Sequence, residues 1–427
     1  MQTSALQTAL ASLISEREYV RAAQESDAVM GVQPQCVVEP GSEEEVAAVL
    51  SFADREGLKV LVRGGGTQFG LGLPPTGGDI LLCTTRLNRL IEHAPHDLIV
   101  SVQAGMSLAD LQFTLASARQ WLALDPMLNP GATIGGLIAT NASGARRLRY
   151  GGVRDQIIGI RVVLPDGTIA KGGGKVVKNV AGYDLPKLYT GSLGTLGVIV
   201  SANFRLYPLP VASRTVTLTT HDLEPAGALV QRVLASPLVP TIIDLLGSAD
   251  RQQPYTVAVR FEMGRQAVED QASALLAMAG DLKQEARILQ DGAEEQFWSQ
   301  IGQPIATPDT VLLKASLLMT DVVPWLQRLQ AIAQQAGLAV SWRAHAGHGL
   351  IFARLSGESD ALITTIETMR EAAVARQGSL VVLDAPLPLL QRIDVWGPVP
   401  ALEVMRRLKA RFDPHATLNP GRFVGGI

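Results

Sequence analysis

Arg63-Gly64-Gly65-Gly66-Thr67-Gln68 is the stretch on which the reading of this chain turns. It follows an apolar, strand-like run, residues 58–63, without a break. Consecutive glycines let successive N–H groups turn toward one point, which makes a concave nest for an anion, and Thr67 adds a hydroxyl donor. Taken alone, a glycine-rich surface turn explains the same residues equally well. The run is neither a Walker A loop nor a dinucleotide fingerprint. No Gly-x-Gly-x-x-Gly opens a helix here and no Gly-Lys-Ser/Thr occurs anywhere, which disfavours nucleotide kinases and classical nicotinamide dehydrogenases.

Two further glycine clusters shift the balance. Asn129-Pro130-Gly131-Ala132-Thr133-Ile134-Gly135-Gly136 is followed by Thr140-Asn141-Ala142-Ser143-Gly144. Small residues and hydroxyls leave room there for an extended ligand. Gly191-Ser192-Leu193-Gly194-Thr195-Leu196-Gly197 stands directly before a strand-like run that starts at Val198. The chain holds 41 glycines, and they crowd beside apolar segments at residues 58–63, 79–83, 98–103, 160–164 and 198–206. Three separate loops of this kind fit a long dinucleotide better than a single phosphate.

The remaining composition sets the class. A chain of 427 residues, 47% hydrophobic and 18% charged, has the volume for two or three folded units. A formal charge of −3 gives no electrostatic reason to expect nucleic acid as a partner. Two cysteines, Cys36 and Cys83, are too few for an iron–sulfur cluster or a disulfide framework, so the expected location is cytoplasmic. No apolar run has the length of a membrane span, so any association with the inner face of a membrane would come through partners.

Ser42-Glu43-Glu44-Glu45 reads as a capping box, with Glu45 reaching back over the helix start, and Gly57 as the stop. A second helix opens at Ser107. Beyond Pro208-Leu209-Pro210 the glycine density falls, and strand and helix signals recur as two βαββαβ-like passes, predicting an α+β unit with an antiparallel sheet. The divisions expected are an N-terminal helix in residues 1–29, a ligand-binding unit in 30–210, an α+β unit in 211–400, and a segment in 401–427 that returns to the first unit.

These motifs together resemble the vanillyl-alcohol-oxidase-type (PCMH-type) FAD-binding family. The likeness rests on the Arg63–Thr67 glycine run, Gly135-Gly136 with the 140–144 segment, Tyr150-Gly151 with Arg154-Asp155, the 191–198 loop, Lys178-Asn179-Val180-Ala181-Gly182-Tyr183-Asp184-Leu185, Phe412-Asp413-Pro414-His415, and Asn419-Pro420-Gly421-Arg422. Within the family it is similar to the FAD-binding subunits of bacterial glycolate oxidases. The resemblance implies a two-part PCMH-type FAD domain with an antiparallel-sheet cap. It also implies that Gly64, Gly65, Gly66, Thr67 and Gln68 cradle the FAD pyrophosphate. Pro130, Gly131, Thr133, Gly135, Gly136, Ala142 and Ser143 would line the flavin and ribityl path, Val198 the adenine side, and Asn419 the ring. Relatives with covalent flavin use a histidine in the first loop; Thr67 and no histidine there implies non-covalent FAD.

For a 2-hydroxy acid such as glycolate, a cation must meet the carboxylate and a base the hydroxyl. Arg146, Arg147 and Arg149 are candidate clamps, Tyr183 and Lys178 candidate donors, and His345 in Ala344-His345-Ala346-Gly347-His348-Gly349 a candidate base. The catalytic relatives add a Glu-His-Gly segment; this chain has Leu383-Asp384-Ala385-Pro386, and no metal site is expected. The resemblance therefore implies a subunit working with a second flavin subunit and an iron–sulfur subunit. A self-sufficient hydroxy-acid dehydrogenase and an assembly subunit with a vestigial cleft stay open beside it.

Overall fold

The computed structural model describes residues 3–126, 131–175, 182–250, 253–281, 285–301 and 309–427. Two sheets build the N-terminal half. In the first, Val20–Ala22 runs antiparallel to Cys36–Val38, and Cys36–Val38, Ile80–Cys83 and Val60–Arg63 follow in parallel. Thus the chain before residue 30 contributes a strand as well as the helix Thr3–Ala11. The second sheet is antiparallel, in the order Leu90–Ala94, Ile99–Gln103, Val198–Arg205, Ile157–Val163, Ile169–Gly173. The helix Glu43–Arg55 packs Val46, Val49, Leu50 and Ala53 against the first sheet, with Val198 and Val200 of the second in the same core.

The capping of that helix differs from expectation in one respect. Ser42 Oγ does accept the Glu45 N–H at 3.2 Å. The Glu45 carboxylate, however, accepts the N–H groups of Gly41 (2.7 Å) and Ser15 (2.8 Å), so it ties the preceding loop to the N-terminal segment. Those two donors outweigh its burial and hold its pKa below the usual carboxylate value.

Residues beyond 211 form one eight-stranded antiparallel sheet. Its order is Glu285–Leu289, Ala212–Thr220, Tyr255–Met263, Ile242–Ser248, Ala339–His345, Leu350–Ser356, Val311–Ser316, Ser379–Asp384. The two βαββαβ passes are therefore related by an approximate two-fold axis between Ile242–Ser248 and Ala339–His345. Leu223–Leu234, Arg265–Asp281, Val322–Ala336 and Ser359–Val374 cover one face, where Leu229, Val268, Leu326, Leu329 and Ile366 make the core. The other face carries polar side chains at alternate positions and turns toward the N-terminal half. No helix among the described residues is long and apolar enough to cross a membrane.

The last helix, Leu402–Phe412, feeds a tail that comes back to the first sheet, where Leu418 bridges Val60 in parallel. Lys409 is the pin of this return. Its ammonium donates to Thr195 O (2.8 Å), Leu418 O (2.9 Å) and the Asp413 carboxylate (2.6 Å), and that carboxylate accepts the N–H groups of Thr417 and Leu418, each at 2.8 Å. Replacing one member of a buried pair leaves the other uncompensated. Lys409→Met should therefore loosen the tail by about 3 kcal/mol. Limited proteolysis reads this as faster cleavage after residue 412; an unchanged cleavage rate would contradict it.

Candidate functional site

A crevice opens where four separate stretches meet. The strand Val60–Arg63 delivers the first, residues 64–68. Gly66 takes a positive φ of 70°, and the N–H groups of Gly66, Thr67 and Gln68 find no acceptor among the described residues. All three residues line the crevice. Loop-to-loop contact is close: a side chain on Gly65 would place its Cβ 1.9 Å from Gly131 O, and one on Gly64 would stand 2.3 Å from Thr133 Oγ1.

The second stretch is a short helix, Ile134–Thr140, not the open loop that its small residues suggest. Thr133 caps it by accepting the Gly136 N–H at 3.3 Å, and also takes the Gly65 N–H at 3.4 Å. Thr133, Gly135 and Gly136 line the crevice. Gly135 is there for packing, since a Cβ would meet that of Ala104 at 2.9 Å. Gly131 backs the first loop. Ala142 and Ser143 do not line the crevice: Asn141 adopts φ 49° and turns the chain away, which leaves Ser143 Oγ buried and unbonded. Pro130 lies outside the described residues.

The 191–197 loop with Val198 is the third wall, and the C-terminal tail is the fourth. Asn419, at φ 44°, joins the two: its Oδ1 accepts the Val62 N–H (3.0 Å) and its Nδ2 donates to Leu193 O (2.7 Å). Arg422, also in the wall, was not singled out by the sequence reading; its only signal is its place directly after Asn-Pro-Gly.

The proposed chemical groups fare differently. Arg146 is not a free clamp. Its guanidinium grips Glu262 of the cap sheet with both ends, at 3.1 and 2.7 Å, and lies 4.9 Å over the Trp121 ring. Burial opposes its charge, but Glu262 more than offsets that and raises its pKa. Tyr183 stands 92% exposed and does not line the crevice. Lys178 lies outside the described residues. His345 is fully buried in the cap sheet, with Nδ1 2.7 Å from Asp244, whose other oxygen takes Arg343 Nε at 2.7 Å. It does not reach the crevice. The neighbouring His348 is pushed down to about 4, by burial first and by His345 second, and stays neutral at physiological pH.

The Arg146–Glu262 pair links the two halves of the molecule, so it has a testable role. Burial pushes the Glu262 carboxyl up, yet Arg146 and Arg260 hold it below the usual value. The stabilisation is therefore complete above the ordinary glutamate range, about pH 4.3. It is lost as pH falls through the depressed native value. Glu262→Gln should cost about 3 kcal/mol at neutral pH, with the gap to wild type closing in acid. Urea unfolding at several pH values checks this, and a gap that widens in acid would contradict it.

Lys314 and Asp384 are the polar groups that the sequence reading missed. Along Val311–Ser316 the residues Val311, Leu313 and Ala315 enter the helical core, so Lys314 points to the opposite face, toward the N-terminal half. It is largely buried, with no hydrogen-bond or ionic partner among the described residues. Burial first, then Arg147, lowers its pKa. Asp384 pairs in register with Leu312 and sits against the crevice loop: a Cβ on Gly70 would stand 2.4 Å from its Oδ1. Burial raises the Asp384 carboxyl. Neither residue carries a local motif, and only sheet pairing brings them to this edge.

The glycine nest with unused donors, the buried unbonded Gln68 Oε1 and the close loop packing fit a long anionic cofactor held by main chain. Known proteins agree. Residues 34–173 match the FAD binding domain family, and residues 396–423 match the C-terminal domain of FAD linked oxidases. The chain is 26% identical over 423 residues to the glycolate oxidase subunit GlcD of Bacillus subtilis, covering 91% of this chain and 88% of that one. It is 28% identical over 412 residues to a D-lactate dehydrogenase of Archaeoglobus fulgidus, covering 91% of both. A D-2-hydroxyglutarate dehydrogenase of Xanthomonas citri is 28% identical over 425 residues, 91% of this chain and 89% of the relative. Among solved structures, alkyldihydroxyacetonephosphate synthase superposes with a TM-score of 0.72 at 16% identity, over 91% of this chain and 76% of that one, which establishes the shared fold. Residues 34–173 thus match the FAD binding domain and residues 396–423 the C-terminal domain of FAD linked oxidases, and the chain is an FAD-dependent oxidoreductase.

Proposed function

We propose that this chain is the FAD-binding subunit of a glycolate-oxidising complex. It would convert glycolate to glyoxylate with a second flavin subunit and an iron–sulfur subunit that takes the electrons. The observation that carries the substrate class is Lys314, a largely buried cation with no anionic partner among the described residues, on the cap-sheet face opposite the helical core and beside Arg147. A buried charge of this kind calls for a carboxylate from outside the chain. The relatives support the same class, since the names of all three denote enzymes of 2-hydroxy acids.

In this reading the chain's residues divide the work. The N–H groups of Gly66, Thr67 and Gln68 hold the FAD pyrophosphate, Thr133 and Asn419 fix the loops around it, and bound FAD supplies the hydride acceptor. Lys314 orients the carboxylate. Asp384, its pKa raised by burial, would take the hydroxyl proton. Two features favour a subunit over a complete enzyme: the Bacillus relative is named as a subunit, and Asp384-Ala385-Pro386 replaces the Glu-His-Gly of catalytic relatives. The D-lactate dehydrogenase match over 91% of the chain favours self-sufficiency instead. Adding glycolate or D-lactate to the purified, FAD-loaded chain separates the two readings. A flavin that stays yellow until the partner proteins are added is the expected result. Bleaching by the chain alone would overturn the subunit reading, and unchanged glycolate-dependent dye reduction by partners lacking this chain would remove its role altogether.

A further inference from the structure

A patch outside the crevice holds charge and aromatic surface that neither the cofactor nor the substrate uses. It lies where the chain passes from the N-terminal half into the cap sheet. There the short strand Tyr207–Pro208 pairs with Gln120–Trp121, and the cap strand Ala212–Thr220 follows. Tyr150 packs edge-on against both, its ring centroid 5.5 Å from that of Trp121 and 4.8 Å from that of Tyr207. Arg205 lies 5.2 Å over the Tyr207 ring, and Arg149 directly precedes Tyr150. Val211, beyond Pro208-Leu209-Pro210, is 64% exposed. None of these residues lines the crevice.

The donors of this patch are unspent. Two acids beside it are committed elsewhere: Glu262 holds Arg146, and the Asp155 carboxylate accepts the Gly152 N–H at 2.8 Å. Arg149 is exposed and makes no hydrogen bond or ion pair among the described residues. Arg205 is half-buried, makes none either, and its Nε is buried without an acceptor, as is Trp121 Nε1. The Tyr150 and Tyr207 hydroxyls are also unbonded among the described residues. Tyrosine, tryptophan and arginine around an exposed apolar side chain is the composition of the energetic centre of a protein interface. Guanidinium groups without carboxylates select a partner that brings them. A second copy of this chain does not, because a two-fold interface sets a patch against itself and would oppose Arg149 to Arg149. A lipid surface fits less well, since Val211 is the one strongly exposed apolar side chain here to insert. We propose that, within the complex inferred above, this patch docks an acidic face of a partner subunit. Carboxylates of the partner meet Arg149 and Arg205, and an apolar side chain meets Val211.

The test rests on the subunit reading and uses the FAD-loaded full chain with the second flavin subunit and the iron–sulfur subunit, each purified. Binding is followed by biolayer interferometry. Wild type should bind one of the two, with an affinity that falls as salt is added. Arg149→Glu and Val211→Asp should each weaken that binding by at least about tenfold. Both positions are exposed, so circular dichroism and flavin content should match wild type. Arg406→Glu, on the helix Leu402–Phe412, makes the same charge change at another exposed arginine and should stay within about twofold of wild type. Equal weakening by Arg149→Glu and Arg406→Glu would mean that net charge alone acts, which overturns the proposal. Phosphatidylserine vesicles supply the membrane arm. If the patch variants lose vesicle binding and keep the partner, the surface belongs to lipid and the proposal also fails. Partner binding that survives in both patch variants defeats this surface alone. A wild-type chain that binds neither subunit defeats the complex reading, and this surface with it.

Discussion

Gly65→Ala is expected to give a folded but colourless protein. The added Cβ would stand 1.9 Å from Gly131 O, and the obstacle is backbone, which cannot swing aside as a side chain could. One of the two loops must move by an ångström or more. The moving loop is the one whose Gly66, Thr67 and Gln68 N–H groups would hold the pyrophosphate in the proposed reading, and Gly65 itself donates to Thr133 Oγ1. Misplacing a converging donor set by about an ångström costs on the order of a hundredfold. FAD affinity should therefore fall by at least about that factor. The circular dichroism spectrum should stay near wild type, because the position lies in a loop and outside the three main cores. Fluorescence titration with FAD and the flavin content after gel filtration measure the effect. Stoichiometric flavin in the variant would mean that the nest is not the pyrophosphate site.

Lys314→Met should raise the KM for glycolate by about a hundredfold in the assembled enzyme while leaving FAD content unchanged. A charge-assisted hydrogen bond to a carboxylate in a desolvated site is worth roughly 2–4 kcal/mol, and methionine keeps the length of the side chain without the charge. The same change should leave the protein at least as stable as wild type, since it removes a largely buried cation that pairs with none of the described residues. Loss of function with no loss of stability separates a binding role from a structural one. The pH dependence has a definite sign. Burial holds the Lys314 ammonium below the usual lysine value, about 10.4. Wild-type KM should rise with pH through that depressed value, whereas the methionine variant should be flat there. A wild-type profile that is flat through that range, or a variant that loses its flavin, would remove Lys314 from the substrate site.

Most of the architecture is legible locally. The serine caps at Ser42 and Ser107 stand where the structure starts helices, and the doubled strand–helix order after residue 211 appears as a two-fold related sheet. Elements that escape the sequence lie at edges or behind glycine. Glu285–Leu289 is a half-exposed edge strand whose Glu-Ala-Arg-Ile-Leu has no clean alternation, and Leu90–Ala94 is another edge strand. Gly135-Gly136 hides the helix Ile134–Thr140, because glycine is a poor helix former and is there for close approach to Ala104.

What the sequence determines by itself is the set of glycine runs that wall the crevice. Main-chain donors and small residues bind through runs of glycine, and such runs are contiguous, so they can be read in order along the chain. The substrate end is another matter. Arg146 looks available until Glu262, 116 residues away, closes on it, and His345 looks catalytic until Asp244 buries it in the sheet. Lys314 and Asp384 look like ordinary strand and loop residues until strand pairing turns Lys314 to the face away from the helical core and sets Asp384 against Gly70. Side-chain charge acts over a few ångströms of space and not over neighbouring positions, so only the packing of the cap sheet against the glycine loops decides which charges are spent within the protein and which remain for a ligand.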